Sequence, residues 1–152
     1  MPLMDTAAQN ASLDNDYGAT KGPNAPASFR LRLWVGDPTN GGEELAASGG
    51  YAPAGGVTND GANFPPAADG SKTAAPQSFG TSTGEWGLYK VVNGVTELVP
   101  DVATHYSLED EATGTAWDTG QLGDEISVEA AGTEVTVQPV IFYNGGLTDG
   151  SL

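Results

Sequence analysis

The sequence predicts an all-β protein: a single antiparallel β-sandwich, immunoglobulin-like or jelly-roll-like, with an extended N-terminal arm. Three observations predict it. Short runs alternate apolar and polar residues with a period of two, as a strand with one buried face does. Turn residues separate the runs, with glycine (22) and proline (10) making about a fifth of the 152 residues. No window carries a convincing apolar stripe at helical spacing. A series of short strands with turn signals between them builds layered sheets. The length fits one domain, residues 28–152, plus an arm, residues 1–27.

The arm has scattered apolar residues, no period, and Pro23 and Pro26, which disfavour helix in the residues before them. It reads as an extended segment lying across a neighbouring subunit, with Leu3, Met4, Leu13 and Tyr17 as anchors. The first clear strand is Ser28 to Trp34, with Phe29, Leu31 and Leu33 on one face and Arg30 and Arg32 on the other. Gly36 to Gly42 is a turn cluster. Ser48 to Ser78 is rich in Gly, Ala, Pro and Asn; it predicts short irregular strands, with a surface loop at Asn63 to Gly70. Two β-rich runs around Asn93 and Gly94, from Gly84 to Val99, predict a hairpin with a two-residue type I′ turn. Val102 to Leu108 alternates again, with Val102, Thr104, Tyr106 and Leu108 on one face. Thr115 to Asp118 reads as a short strand closed by Thr119 and Gly120. Glu125 to Glu129 and Thr133 to Tyr143 read as the last strands, with Ala131 and Gly132 turning between them. Glu125, Glu129 and Glu134 fall at solvent-facing phases, where charge guards edge strands against stray pairing.

The side-chain inventory points to binding or assembly rather than chemistry. The chain has no cysteine, one histidine, five basic residues and twenty acidic ones, for a formal charge of −15. That charge favours solubility and repels phosphates and anionic bilayers, so nucleic acid and membrane are excluded as direct partners. No disulfide framework is possible. No basic stretch precedes an apolar run, so no signal peptide is expected, and no apolar run is long enough to span a bilayer.

No catalytic, cofactor or metal residues are assigned. His105 could serve as a general base, but it sits inside an alternating strand without a nucleophile elbow or a glycine-rich oxyanion loop. Asp14 to Gly18 resembles the opening of a calcium loop, yet its twelfth position is Ala25 where a bidentate glutamate is needed. Glu109 to Glu111 and Asp124 with Glu125 could bind calcium, but charge runs on loops are usually solvated faces. Gly49, Gly50, Gly55 and Gly56 lack the following lysine of a phosphate cradle. Trp34, Trp86, Trp117, Tyr89, Tyr106, Phe142 and Tyr143 read as core, with a carbohydrate platform or a subunit interface as alternatives.

Several segments together resemble a family of small virion proteins of tailed bacteriophages, of the tail-fibre-like or head-decoration-like kind. They are Leu33 to Pro38, Gly49 to Tyr51, Phe79 with Thr81 to Trp86, Ala103 to Asp110, and Trp117 to Leu122. The resemblance spans roughly residues 28–143. It implies a non-enzymatic structural protein of the virion, made in the host cytoplasm. The expected role is a capsid decoration or cement protein that grips the major capsid protein, as a homo-oligomer and by expectation a trimer. A tail or fibre component touching the host is the alternative, and a carbohydrate- or calcium-binding β-module the second alternative.

Overall fold

A computed structural model describes residues 5–143. One helix and eleven strands follow in chain order: α1 (Thr6–Asp16), β1 (Ser28–Val35), β2 (Glu43–Glu44), β3 (Ala54–Thr58), β4 (Ser71–Thr73), β5 (Gln77–Thr81), β6 (Gly87–Val92), β7 (Val95–Pro100), β8 (Ala103–Asp110), β9 (Ala116–Ile126), β10 (Glu134–Val137) and β11 (Val140–Phe142). The protein is all-β and antiparallel apart from α1. A five-stranded sheet runs β2-β1-β8-β9, with β3 also on β1. Three two-stranded ribbons, β10-β5, β11-β4 and β6-β7, complete the described structure.

Hydrophobic alternation sets the register of the central sheet. Leu31 lies opposite Leu108 and Leu33 opposite Tyr106, so two apolar rows share one face. Arg30 lies opposite Glu109, Arg32 opposite Ser107 and Trp34 opposite His105 on the other. A slip of one residue would exchange the faces, which is why this register is strongly specified. The core under the sheet gathers Phe29, Leu31, Leu33, Tyr51, Phe64, Trp86, Tyr106 and Leu108, with Val135, Val137 and Ile141 from the C-terminal ribbons.

The N-terminal segment is not an extended arm. Residues Thr6–Asp16 form a helix capped by Asp5, whose side chain accepts a hydrogen bond from the Ala8 N–H at 2.8 Å. A helix this short is marginal alone in water and is held by tertiary packing. Leu13 and Tyr17 are buried in the same core as the sheet. Tyr17, Phe29 and Phe64 form a ring triangle with centroids 5.4–5.5 Å apart. Phe64 thereby belongs to the interior, although the surrounding proline-rich stretch reads as a surface loop.

Two buried polar side chains tie the segment down. Asn59 donates to the carbonyls of Asp16 and Pro26 and accepts from the Gly18 N–H at 2.7 Å. Lys72, only 1% exposed, donates to Asp14 Oδ1 at 2.7 Å and to the carbonyls of Tyr17 and Pro65. An ammonium group is tolerated inside because each of its three protons finds an oxygen.

Three strand boundaries also differ from expectation. Gly120 does not close a turn; it lies mid-strand in β9, opposite Tyr106. A Cβ there would stand 2.7 Å from the Tyr106 ring, so glycine is needed for close approach rather than for bending. The strand expected from Thr133 to Tyr143 is split into β10 and β11 around Pro139, which has no N–H to give a ladder. The strand expected at Glu125 to Glu129 is the end of β9, and beyond Ile126 the chain leaves the ladder with Val128 still buried.

Candidate interaction surface

The β6-β7 hairpin is the part of the described structure with the most uncovered apolar surface. It begins where the core ends. Trp86 is buried, with its indole N–H on the Gly49 carbonyl at 2.7 Å, and Gly87 accepts from the Ala46 N–H. From there the strands pair only with each other, Gly87 against Pro100 through Val92 against Val95. Asn93 and Gly94 turn the chain with φ of 51° and 79°, the left-handed values a type I′ turn requires.

Alternation gives this hairpin two faces, and of its side chains only that of Leu88, near the base, is buried. One face carries Leu88 with Val99, Lys90 with Glu97, and Val92 with Val95; the other carries Tyr89 with Leu98 and Val91 with Thr96. Tyr89 is 55% exposed, Val91 72%, Val92 37% and Val95 62%. An isolated two-stranded hairpin is marginal in water, and exposed apolar clusters on small proteins mark interaction sites.

Of the carboxylates that drew attention in the sequence, Glu109 and Glu111 have partners on neighbouring strands. On the outer face of the central sheet, Arg32 makes two 3.0 Å bonds to Glu44 and a 2.9 Å pair with Glu109. Arg30 pairs with Glu109 at 3.2 Å, while Glu111 accepts from the Ser28 hydroxyl and the Gly56 N–H, each at 2.9 Å. The Glu109 hydrogen bond raises the Arg32 pKa most, against the cost of burial and with help from Glu44. The Gly56 N–H and the Ser28 hydroxyl hold the Glu111 carboxyl below its ordinary value. Glu109 and Glu111 are therefore part of a cross-strand charge network, while the Asp110 carboxylate accepts from the local Ala112 N–H at 2.9 Å. Three of the five basic residues, Arg30, Arg32 and Lys72, are spent on such pairs.

Asp14 and Asp16 sit at the end of α1. Burial pushes the Asp14 carboxyl up, but the Lys72 hydrogen bond, the Ala67 N–H and the Lys72 charge together hold it below the usual range. Burial raises Asp16. Among the described residues no group of three or more His, Asp or Glu side chains is arranged to hold a metal ion. His105 Nδ1 lies 2.8 Å from the Thr104 hydroxyl. Asp118 is the most perturbed carboxyl among the described residues: burial pushes it up to about 6, against the opposing hydrogen bonds from the Tyr106 hydroxyl (2.7 Å) and the Thr119 N–H.

Of the four anchor residues expected in the N-terminal segment, Leu3 and Met4 lie outside the described residues. Leu13 and Tyr17 are interior, so they pack within this chain and are not free to grip a neighbour. The aromatic set divides. Trp86 and Tyr106 are core, Trp34 and Trp117 are half-buried, and Tyr89 and Phe142 are exposed. The hairpin's exposure was hidden in the sequence because alternation marks a strand without saying whether anything covers it. Its low charge was the readable signal. Residues 87–100 carry only Lys90 and Glu97 in a chain of net −15.

Phe142 borders a groove of about 490 Å³ between the second half of β9 and the C-terminal ribbons, where Gln121, Asp124, Glu125 and Gln138 supply polar groups. No helix among the described residues is long and apolar enough to cross a membrane. The chain matches no protein-family model and no curated protein.

Proposed function

We propose that this protein is a non-enzymatic structural component of a tailed-bacteriophage particle, a decoration or cement protein seated on the outside of the major capsid protein shell. The observation that carries the reading is the β6-β7 hairpin. Apolar side chains held outside the core call for a protein neighbour, and a particle of repeated subunits offers one at every position. The acidic exterior suits a protein made at high copy in the host cytoplasm, since like charge suppresses premature association. We take the ribbons β10-β5 and β11-β4 as the second layer of a sandwich over the central sheet. Val135, Val137, Phe79 and Ile141 from those ribbons support this by joining the same core as Phe29 and Leu31.

Immunogold labelling of purified particles with an antibody to this chain tests the role. Label on heads is the expected result, label on tails alone would move the protein to the tail or fibre, and unlabelled particles would end the virion reading. A second reading, carbohydrate binding, draws on Phe142, 67% exposed beside amide and carboxylate groups at the β9 groove. Glycan-array binding that Phe142→Ala abolishes would favour it.

A further inference from the structure

We propose that the β6-β7 hairpin is a self-association element: its uncharged face, formed by Tyr89, Val91, Thr96 and Leu98, packs against the same face of a second copy of this chain. This rests on reading the hairpin as a surface that a neighbour covers, and it names the neighbour.

Charge selects the occupant. Two molecules of net −15 repel one another over most of their surfaces. Residues 87–100 carry one lysine and one glutamate, paired across the strands as Lys90 and Glu97, and both lie on the opposite face. Tyr89, Val91, Thr96 and Leu98 therefore form a surface without charge on which two copies can approach closely. A basic partner protein would gain nothing there, because that face has no carboxylate to offer it. An isologous contact also needs only one patch, self-complementary about a two-fold axis.

The strand count points the same way. Two strands alone are marginal in water, and a hydrophobic face shared by more strands gives independent stability. Pairing two hairpins gives four strands with Tyr89 and Val91 of each copy buried between them. Tyrosine suits such a seam, since its ring loses water while its hydroxyl stays at the wet margin.

Sedimentation velocity of the full chain, over a range of protein and salt concentrations, tests the proposal. The chain should associate with rising concentration. Association should tighten as salt rises, because screening removes the repulsion between two acidic bodies. Val91→Asp should weaken it by about tenfold or more by placing a carboxylate in the seam. Its thermal melting should stay near that of the parent, since Val91 lies outside the core. Val91→Thr, close in shape, should have a smaller effect. A chain that stays monomeric under all conditions would overturn the proposal. So would association that weakens with salt, or that Val91→Asp leaves unchanged. A monomer whose antibody still labels particle heads would sink the self-pairing alone. A hairpin-dependent oligomer absent from particles would sink the virion role alone.

Discussion

The N-terminal segment, residues 5–27, and the β6-β7 hairpin, residues 87–100, both lie outside the hydrogen-bonded ladder of the central sheet, and they are held in opposite ways. The hairpin is regular along its length: six residue pairs in register and a turn of the preferred type. It nevertheless packs against little beyond its own base. The N-terminal segment is irregular beyond one short helix, yet Leu13 and Tyr17 enter the core, and Asn59 and Lys72 bind its backbone and Asp14. Backbone regularity and structural integration are thus separate properties. A ladder satisfies the hydrogen bonds of its own strands, whereas integration needs apolar surface shared with the rest of the chain.

The sharpest way to break this contrast is to remove each piece. Deleting residues 1–27 should abolish cooperative folding, because Tyr17 leaves the triangle with Phe29 and Phe64, and Lys72 is left buried without Asp14. Replacing residues 88–99 by a short turn should leave a folded protein. Thermal melting by circular dichroism separates the two, and a stable truncated chain would show that the N-terminal segment is only an appendage.

A smaller loss should follow at a single buried group. Lys72→Ala should cost about 3–5 kcal/mol, since it strips Asp14 and the Tyr17 and Pro65 carbonyls of their shared donor and leaves a cavity. Chemical denaturation measures it, and a change below about 1 kcal/mol would mean that water takes the lysine's place easily.

Asp118 extends the comparison to pH. Its folded value of about 6 stands above the ordinary 3.8, so between these two the folded chain keeps a proton that the unfolded chain has released. Stability attributable to this group is greatest in acid and falls as pH rises from 3.8 toward 6. Asp118→Asn keeps an acceptor for the Tyr106 hydroxyl and should raise stability at neutral pH by about 1–3 kcal/mol, with no gain below the lower value. Melting curves across that range check it; an equal gain at every pH would exclude a titration origin.

The smallest effect belongs to the hairpin. Gly94→Val places a β-branched residue at φ 79°, with no neighbour close enough to clash, so backbone strain alone acts. It should cost the hairpin about 1 kcal/mol or more. Amide hydrogen exchange should quicken in β6 and β7 while β1 and β8 keep their protection. Equal acceleration in the central sheet would show that hairpin and core unfold together.

Sequence alone determined the all-β class, the faces of β1 and the Asn93-Gly94 turn, because each depends on residues adjacent in the chain. Period-two alternation, positive φ at Asn or Gly, and the missing N–H of proline act over a few residues. The break at Pro139 follows the same local rule, but the apolar alternation on both sides of it reads as one continuous strand. The helix at Thr6–Asp16 escaped because Leu13 is its only buried residue, too little for a stripe. Asp5 as its cap was the one local clue.

Only the tertiary structure decided that Lys72 is interior and that Tyr106 demands glycine at position 120. It also decided that Glu109 joins two arginines and that Tyr89 and Val91 stand uncovered. Burial belongs to the neighbours that the fold brings together across long stretches of chain. An alternating strand reads the same whether those neighbours come from its own chain or from none.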